Sequence, residues 1–383
     1  MPRTRDVDGD SQSDFLSLVT LVVPTVSRPS AVRRHFEYWA GSGVKVLILD
    51  GAKQPISLSE HQLATRNVTY IHSGTRFNER LASAGQLVTT PYAALLCDDE
   101  FFLKDGLRES VSFLEDNPSV IGCTGKVLGF FVDQNRFLTF PMYEDWKSFP
   151  LGVDDARNRL DFALPPNKAH KVQYSLFRSE IWARLFHESY KDFYSSGYIY
   201  ERILNLYSAI LGRTELLECV VWMRSLENPP LSTENVPRVD GRDFVSWATN
   251  PQFSHEVEHL RSCARRLLES AGDLTRAEVE DFLHRFIEGG IERQRTKEAR
   301  NSGRYSRRVG SLLIRYSPHT LKQLAKKWLP SRALKITGWN GDSLERTLEV
   351  LANSGVRACR ESLDQISQLT HRTKAEVSDG GRK

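Results

Sequence analysis

A chain of 383 residues, 40% apolar and 26% charged with a net charge of +4, has room for one large α/β domain plus an appendage, and its charge is too small to name a partner. Its five cysteines are scattered with no CxxC pair, which excludes a disulfide framework and a cysteine zinc site and points to a reducing, cytoplasmic setting. Residues 1–14 read as a polar, disordered tail rather than a signal peptide, and no apolar run approaches the ~20 residues that cross a bilayer.

Leu16–Pro24 is an unbroken β-branched run, as expected of a parallel strand buried on both faces. The turn Thr25-Val26-Ser27-Arg28-Pro29 follows. Ser30 is placed to cap a helix over Ala31–Ala40, with Val32, Phe36 and Trp39 at helical spacing, closed by Gly41 and Gly43. Val44–Leu49 predicts a second strand ending on Asp50-Gly51. Ligands of open α/β sheets sit at strand carboxyl ends, where an acid can hydrogen-bond a ribose hydroxyl or a base N–H. An Asp beside a turn Gly is also ordinary loop chemistry. No GxGxxG opens the first helix and no GxxxxGK[ST] occurs, so the dinucleotide and P-loop fingerprints are absent.

Asn67–Ile71 predicts a third strand and Phe77–Val88 a crossover helix. In Tyr92–Phe102, YAALLCDDEFF, an apolar strand over Ala93–Cys97 runs straight into Asp98, Asp99 and Glu100. Adjacent carboxylates repel unless a cation, solvent or donors hold them. The oxygen-rich, sulfur-poor setting suits Mg2+ or Mn2+ bridging to a phosphate, and a solvated acidic loop reads the same. Leu107–Asn117 predicts a helix that stops before Pro118, and Val120–Cys123 a short strand. Acids at the ends of two strands, Asp50 and the 98–100 cluster, can converge on one nucleotide diphosphate.

The order strand, T-x-x-R-P, helix, strand, Asp, helix, strand, Asp-Asp resembles the nucleotide-sugar-binding half of GT-A glycosyltransferases, in particular family-2-like enzymes. VTTPYAALLCDDEFF looks like a bacterial subgroup found near polysaccharide loci. The resemblance covers residues 15–230. It implies an α/β, Rossmann-like fold: a mixed, mostly parallel sheet flanked by helices, with an α-helical C-terminal extension. It also implies that Asp50 touches the nucleoside, Asp98 the ribose, and Asp99 a Mn2+ or Mg2+ ion on the diphosphate of the donor, UDP being the expected nucleotide. Glu100 departs from the simpler Asp-x-Asp spelling and competes with Asp99 as metal ligand. Thr25 and Arg28 of the T-x-x-R-P turn join Asp50 and Asp98 as donor-binding candidates.

Gly129–Trp146 mixes loop residues with Phe130, Phe131, Phe137, Phe140, Tyr143 and Trp146, which suit sugar C–H faces or an ordinary core. Asp154–Asp161 reads as a charged loop, Pro165–Lys168 as a turn, His170–Phe177 as a strand and Glu180–Phe186 as a short helix. The run Lys191–Glu201, KDFYSSGYIYE, precedes a helix over Arg202–Leu211. In the resembled class an acid at this stage of the chain is the general base that takes the acceptor hydroxyl's proton. Glu201 is the first choice and Asp192 the second; an acid favoured by the helix dipole is the other reading of Glu201. Leu216–Met223 predicts a final strand, with Arg224 at its end either meeting the diphosphate or solvated.

Asn228–Arg242 reads as a linker. Glu256–Ser270 and Thr275–Gly289 predict amphipathic helices, the second opened by a Thr-x-x-Glu capping box. From Ile291 to Asn340 Lys and Arg far outnumber Glu, and Ser311–Leu329 adds an apolar stripe ending at Trp328. That composition suits a helix lying on an anionic inner membrane leaflet, or one packed on the catalytic domain. No nucleic-acid motif accompanies it. Leu344–Leu369 closes the chain as one helix before a tail. The domain reading is therefore a tail over 1–14, a transferase domain over 15–230, a helical extension over 231–340, and a C-terminal helix and tail over 341–383. The functional expectation is an inverting, hexosyltransferase-type enzyme that moves a sugar from a nucleotide-diphosphate sugar to a surface polysaccharide or lipid-linked glycan. Two alternatives stand beside it. A sugar-phosphate nucleotidyltransferase needs a Gly-rich basic loop where this chain has PTVSRPS, and a non-catalytic binding subunit on a transferase fold needs no intact acids.

Overall fold

The computed structural model describes residues 15–133, 135–142, 154–164, 172–226, 244–272, 274–292, 295–296 and 341–380. A 3-10 turn over Phe15–Leu18 takes the start of the first apolar run, and β1 (Val19–Thr25) follows with every side chain from Val19 to Val23 buried. In α1 (Pro29–Trp39), Pro29 rather than a Ser30 cap begins the helix, and Ser30 lies inside the first turn. Proline needs no cap there, since its φ is preset and it has no N–H to satisfy. Next come β2 (Lys45–Asp50), a short α2 (Glu60–Leu63), β3 (Val68–His72), α3 (Phe77–Ser83) and β4 (Tyr92–Leu95). The expected crossover helix ends at Ser83 and finishes as a 3-10 turn over Ala84–Leu87. These strands pair in parallel in the order β3-β2-β1-β4, and the register sets Thr25 beside Asp50 and Asp50 beside His72.

Past the acids come β5 (Phe101–Phe102), α4 (Lys104–Asp116), β6 (Val120–Asp133) and β7 (Arg136–Met142). β6 and β7 form an antiparallel hairpin where the sequence reading expected a short strand and an aromatic loop. Phe130, Phe131 and Phe137 are buried in it as core, while Tyr143 and Trp146 lie outside the described residues. The expected charged loop is largely α5 (Ala156–Ala163), because Asp155 accepts from the Arg157 N–H and caps it. β8 (Leu176–Arg178) is shorter than expected, α6 (Ser179–Tyr190) longer, and α7 (Tyr198–Leu211) starts before Arg202. β9 (Arg213–Ser225) runs parallel to β6, and its C-terminal end pairs with β5. β8 bridges β4 and β6 antiparallel to both, so β9 runs in the same direction as β1 and β4.

α8 (Phe244–Thr249), α9 (Ser254–Glu269) and α10 (Arg276–His284) follow, with α9 packed on α7 and the Thr275–Glu278 capping box formed as expected. The closing helix is two: β10 (Asp342–Ser343) adds to β7, α11 (Leu344–Asn353) stops before Gly355 in the left-handed region at φ 72, and α12 (Arg360–Gly380) returns onto α1. The ten strands make one mixed sheet, β10-β7-β6-β8-β4-β1-β2-β3, with β9 beside β5 and β6. Alternate residues of its parallel half feed a core on each face. Leu21, Val23 and Ile48 meet α1 and α12 on one face, and Val22, Leu49 and Leu95 meet α3, α6 and α7 on the other. The mixed sheet flanked by helices, with further helices at the C-terminal end, is the α/β, Rossmann-like arrangement expected. Pro165–Lys168, Asn228–Arg242 and the basic stretch Ser311–Leu329 lie outside the described residues. Among the described residues no helix is long and apolar enough to cross a membrane.

Candidate active site

The carboxyl ends of β1, β2, β4 and β9 share one edge of the sheet. The Leu96 N–H still bonds to Val22 O, and the chain then turns through Cys97 into the three acids. Asp98, Asp99 and Glu100 are 6%, 8% and 5% exposed. The Thr25 hydroxyl donates to Asp98 Oδ2 at 2.7 Å and Arg28 Nη1 donates to Oδ1 at 2.8 Å; the same Arg28 nitrogen lies 3.3 Å from Asp99 Oδ2. The T-x-x-R-P turn thus reaches from β1 across to the acids after β4. Ser27, between the two donors, sits at φ 56. That left-handed conformation is uncommon for a residue with a Cβ and costs roughly 1–2 kcal/mol. It aims Thr25 and Arg28 at one carboxylate.

On the other side, His35 Nε2 donates to the Asp98 carbonyl oxygen at 3.0 Å. A carbonyl only accepts, so that nitrogen carries the proton. Burial, with the neighbouring Arg34 charge, pushes the His35 pKa down to about 3, so the ring is a neutral donor. Burial pushes Asp98 up to about 6; Arg28 opposes this and Asp99 adds to it. Glu100 goes up to about 8 through burial and the Asp99 charge, against Arg224 and Trp222. Trp222 Nε1 donates to Glu100 Oε2 at 2.8 Å, and Arg224 Nε lies 3.9 Å from Oε1.

Asp50 is fully buried, its Oδ2 accepting from the Tyr70 hydroxyl at 2.6 Å and its Oδ1 from the Ala52 N–H at 2.9 Å. The Tyr70 oxygen accepts from the Ile56 N–H at 2.8 Å, which pins the loop after β2. Burial and the bond to Asp50 raise the Tyr70 pKa to about 12. Arg80 packs against Gly51, where a Cβ would fall 1.7 Å from Nη1. That Nη1 donates to Thr75 O at 2.6 Å, while Arg80 Nε and Nη2 are buried with no hydrogen-bond partner among the described residues. Gly51 thus leaves the space that the Arg80 guanidinium fills, and its φ is not in the left-handed region.

Glu201 lies in the first turn of α7. Behind the acids, the Tyr174 hydroxyl is 3.1 Å from Cys97 Sγ and its ring stacks on Trp222 with centroids 4.1 Å apart. Burial pushes the Tyr174 phenol pKa up, with the neighbouring Cys97 and the charges of Glu100 and Glu201 adding to it. Asp192 instead pairs with His259 on α9, Oδ2 to Nε2 at 3.1 Å. Sequence reasoning missed His35, Tyr70, Arg80, Tyr174 and Trp222. Only the small residue after Asp50 carried a signal for any of them, and it read as a turn.

Among the described residues no three His, Cys, Asp or Glu side chains converge as a self-sufficient metal cage. The donors present are adjacent buried carboxylates, and burial works against the charge of Asp98 and Glu100. That set fits a hard ion that takes one or two carboxylates and completes its shell with phosphate oxygens and water.

No protein-family model matches the chain, and no curated protein matches it. Solved structures are similar to it. S. aureus TarS 1–349 is 12% identical with a TM-score of 0.47, covering 94% of this chain and 91% of that one. TarS 1–349 in complex with UDP-GlcNAc is 11% identical with a TM-score of 0.44, covering 94% and 92%. The mannosyltransferase PcManGT from Pyrobaculum calidifontis, in complex with GDP-Man and Mn2+, is 14% identical with a TM-score of 0.34, covering 83% and 86%.

Proposed function

We propose that this chain is a glycosyltransferase that takes a sugar from a nucleotide-diphosphate donor, UDP first among the nucleotides, and delivers it to a hydroxyl of a glycan acceptor. One observation carries this reading: Asp50, the acids 98–100, Thr25 and Arg28 meet on a single strand-end edge. Asp50 and the spare N–H groups of Arg80 frame the nucleoside end, and Asp98 takes the ribose. Asp99 holds the divalent ion, Mn2+ or Mg2+, which when bound supplies charge neutralisation at the leaving diphosphate. Arg28 is the cation that Asp98 and Asp99 hold, and a diphosphate offers it a further anion. Glu100, tied to Trp222 and Arg224, positions the cluster rather than ligating.

Glu201 takes the acceptor hydroxyl's proton as that oxygen attacks the anomeric carbon, and the bond to the diphosphate breaks with its electron pair leaving on the diphosphate. A single in-line displacement of this kind inverts the configuration. A lipid-linked acceptor agrees with docking of Ser311–Leu329 on an anionic inner leaflet, which co-sedimentation of the full chain with anionic vesicles tests. The nucleotidyltransferase alternative is weakened by the β1–α1 turn, which has Pro29 and no glycine to cradle a triphosphate. The experiment for the main reading is a thermal-shift screen of nucleoside diphosphates and nucleotide sugars with and without MnCl2. Stabilisation by a UDP species that grows with Mn2+ is expected. No shift with any nucleotide at millimolar concentration overturns the reading.

A further inference from the structure

The run Lys191–Glu201 divides its aromatic residues sharply. Tyr190 just before it, and Tyr194 and Tyr200 within it, are buried, whereas Phe193 is 46% and Tyr198 51% exposed among the described residues. Phe77, at the start of α3, is 37% exposed and meets Tyr190 edge-on with centroids 6.0 Å apart. Exposed aromatic surface forgoes the burial that stabilises its neighbours, and beside a chemical site such rings are available to a ligand.

Phe193 is not exposed because its loop is loose. Asn78 Nδ2 donates to the Asp192 carbonyl at 3.4 Å, the Tyr194 N–H donates to the Tyr200 hydroxyl at 3.1 Å, and the Ser195 N–H donates to Glu256 at 2.8 Å. The backbone is fixed on both sides, and the ring between stands outward with the Arg76 guanidinium 5.1 Å from its centroid. Arg76 follows Thr75, whose carbonyl holds Arg80 beside Gly51, so the patch continues from the nucleoside end of the edge. Tyr198 precedes Glu201 by one turn of α7, on the same face. Along the chain, Phe193 and Tyr198 thus lie between the Arg76 contact and Glu201.

We propose that Phe193 and Tyr198, flanked by Phe77, form an acceptor subsite that takes a pyranose ring by stacking on its C–H face, with Arg76 beside it and a ring hydroxyl turned toward Glu201. The acceptor role rests on the glycosyltransferase reading; the sugar contact itself does not. A flat ring backed by a cation matches a sugar, which has an apolar face and a rim of hydroxyls.

The experiment is saturation-transfer NMR on the full chain with methyl glycosides of glucose, galactose, mannose and N-acetylglucosamine, and glycerol as a control without a ring. Wild type, Phe193→Ala, Tyr198→Ala and Phe193→Trp are compared, with UDP and Mn2+ titrated into each by thermal shift. Expected is transfer to ring C–H protons of at least one glycoside, an affinity about fivefold to tenfold weaker in each alanine variant, and retention in Phe193→Trp. Nucleotide binding without glycoside contact at these rings overturns the subsite and leaves the transferase reading standing. Glycoside contact at these rings without nucleotide binding in any variant supports the sugar contact and overturns the transferase reading. A dimer that dissociates in Phe193→Ala, with no glycoside bound, makes the patch a self-association face and overturns the proposal.

Discussion

The indole nitrogen of Trp222 donates to a carboxylate oxygen of Glu100 at 2.8 Å, fastening the third acid of the cluster to β9, while Thr25 and Arg28 fasten the first to the β1–α1 turn. Asp99 between them meets Arg28 at 3.3 Å, the longer of that guanidinium's two carboxylate contacts, and in the proposed reading it exchanges that cation for a metal. Asp99→Asn is therefore expected to keep the fold and remove most Mn2+-dependent UDP binding, while Glu100→Gln, which still offers Trp222 an oxygen, keeps it within about threefold. Calorimetric titration of both variants decides; a reversed order moves the metal to Glu100.

Ser27 at φ 56 holds the turn that delivers both Asp98 partners. Glycine tolerates this conformation and a β-branched residue does not. Ser27→Gly is expected to change stability by less than about 0.5 kcal/mol, and Ser27→Val to cost about 1–2 kcal/mol and to weaken UDP binding. Urea unfolding with equal slopes makes the comparison. Equal stability of the two variants shows that the turn relaxes without strain.

The parallel half of the fold was legible because strands buried on both faces read as unbroken apolar runs; Val19–Val23 has no other reading. β6 was illegible because Gly122, Gly125 and Gly129 punctuate it like turns. A Cβ at each would fall 2.4 Å from the Phe177 ring, the Cys219 carbonyl and the Phe140 ring respectively, so these glycines permit close packing within the sheet. Asp50, Asp98, Thr25 and Arg28 were legible because strand ends announce themselves locally. His35, Tyr174 and Trp222 reach the acids only through tertiary packing, and no local spacing encodes that.

Arg80 and Gly51 are expected to be coupled. An alanine at 51 must displace a buried guanidinium, so Gly51→Ala is expected to cost about 1–3 kcal/mol in urea unfolding. In an Arg80→Ala background the same substitution has nothing to displace and is expected to cost less than about 0.5 kcal/mol. Additive costs would mean that Arg80 is not what fills the space over Gly51.

The α10 capping box sets a pH dependence. Hydrogen bonds from Thr275, then Arg157, hold Glu278 down at about 2 from an ordinary 4.5. A depressed carboxylate pKa stabilises the folded state above the unfolded value, and the contribution fades as pH falls from about 4.5 toward 2. Thr275→Ala is therefore expected to destabilise more at pH 6 than at pH 3.5. Urea unfolding at the two pH values reads the difference, and an equal loss at both shows that Glu278 titrates normally.

Glu201 and Asp192 compete for the base, and their surroundings differ. Glu201 lies in the first turn of α7 and follows the exposed Tyr198 by one turn. Asp192 is held by His259 of α9 at 3.1 Å, and its carbonyl by Asn78. A general base contributes to the transition state and little to donor affinity. Glu201→Gln is thus expected to lower turnover by roughly 100-fold or more with UDP affinity unchanged within about twofold. Asp192→Asn is expected to lower turnover by less than about fivefold. Turnover is read as UDP release from the donor that the nucleotide screen selects, with the methyl glycosides as acceptors. Full activity in Glu201→Gln together with a large loss in Asp192→Asn assigns the base to Asp192 and removes Glu201 from the mechanism.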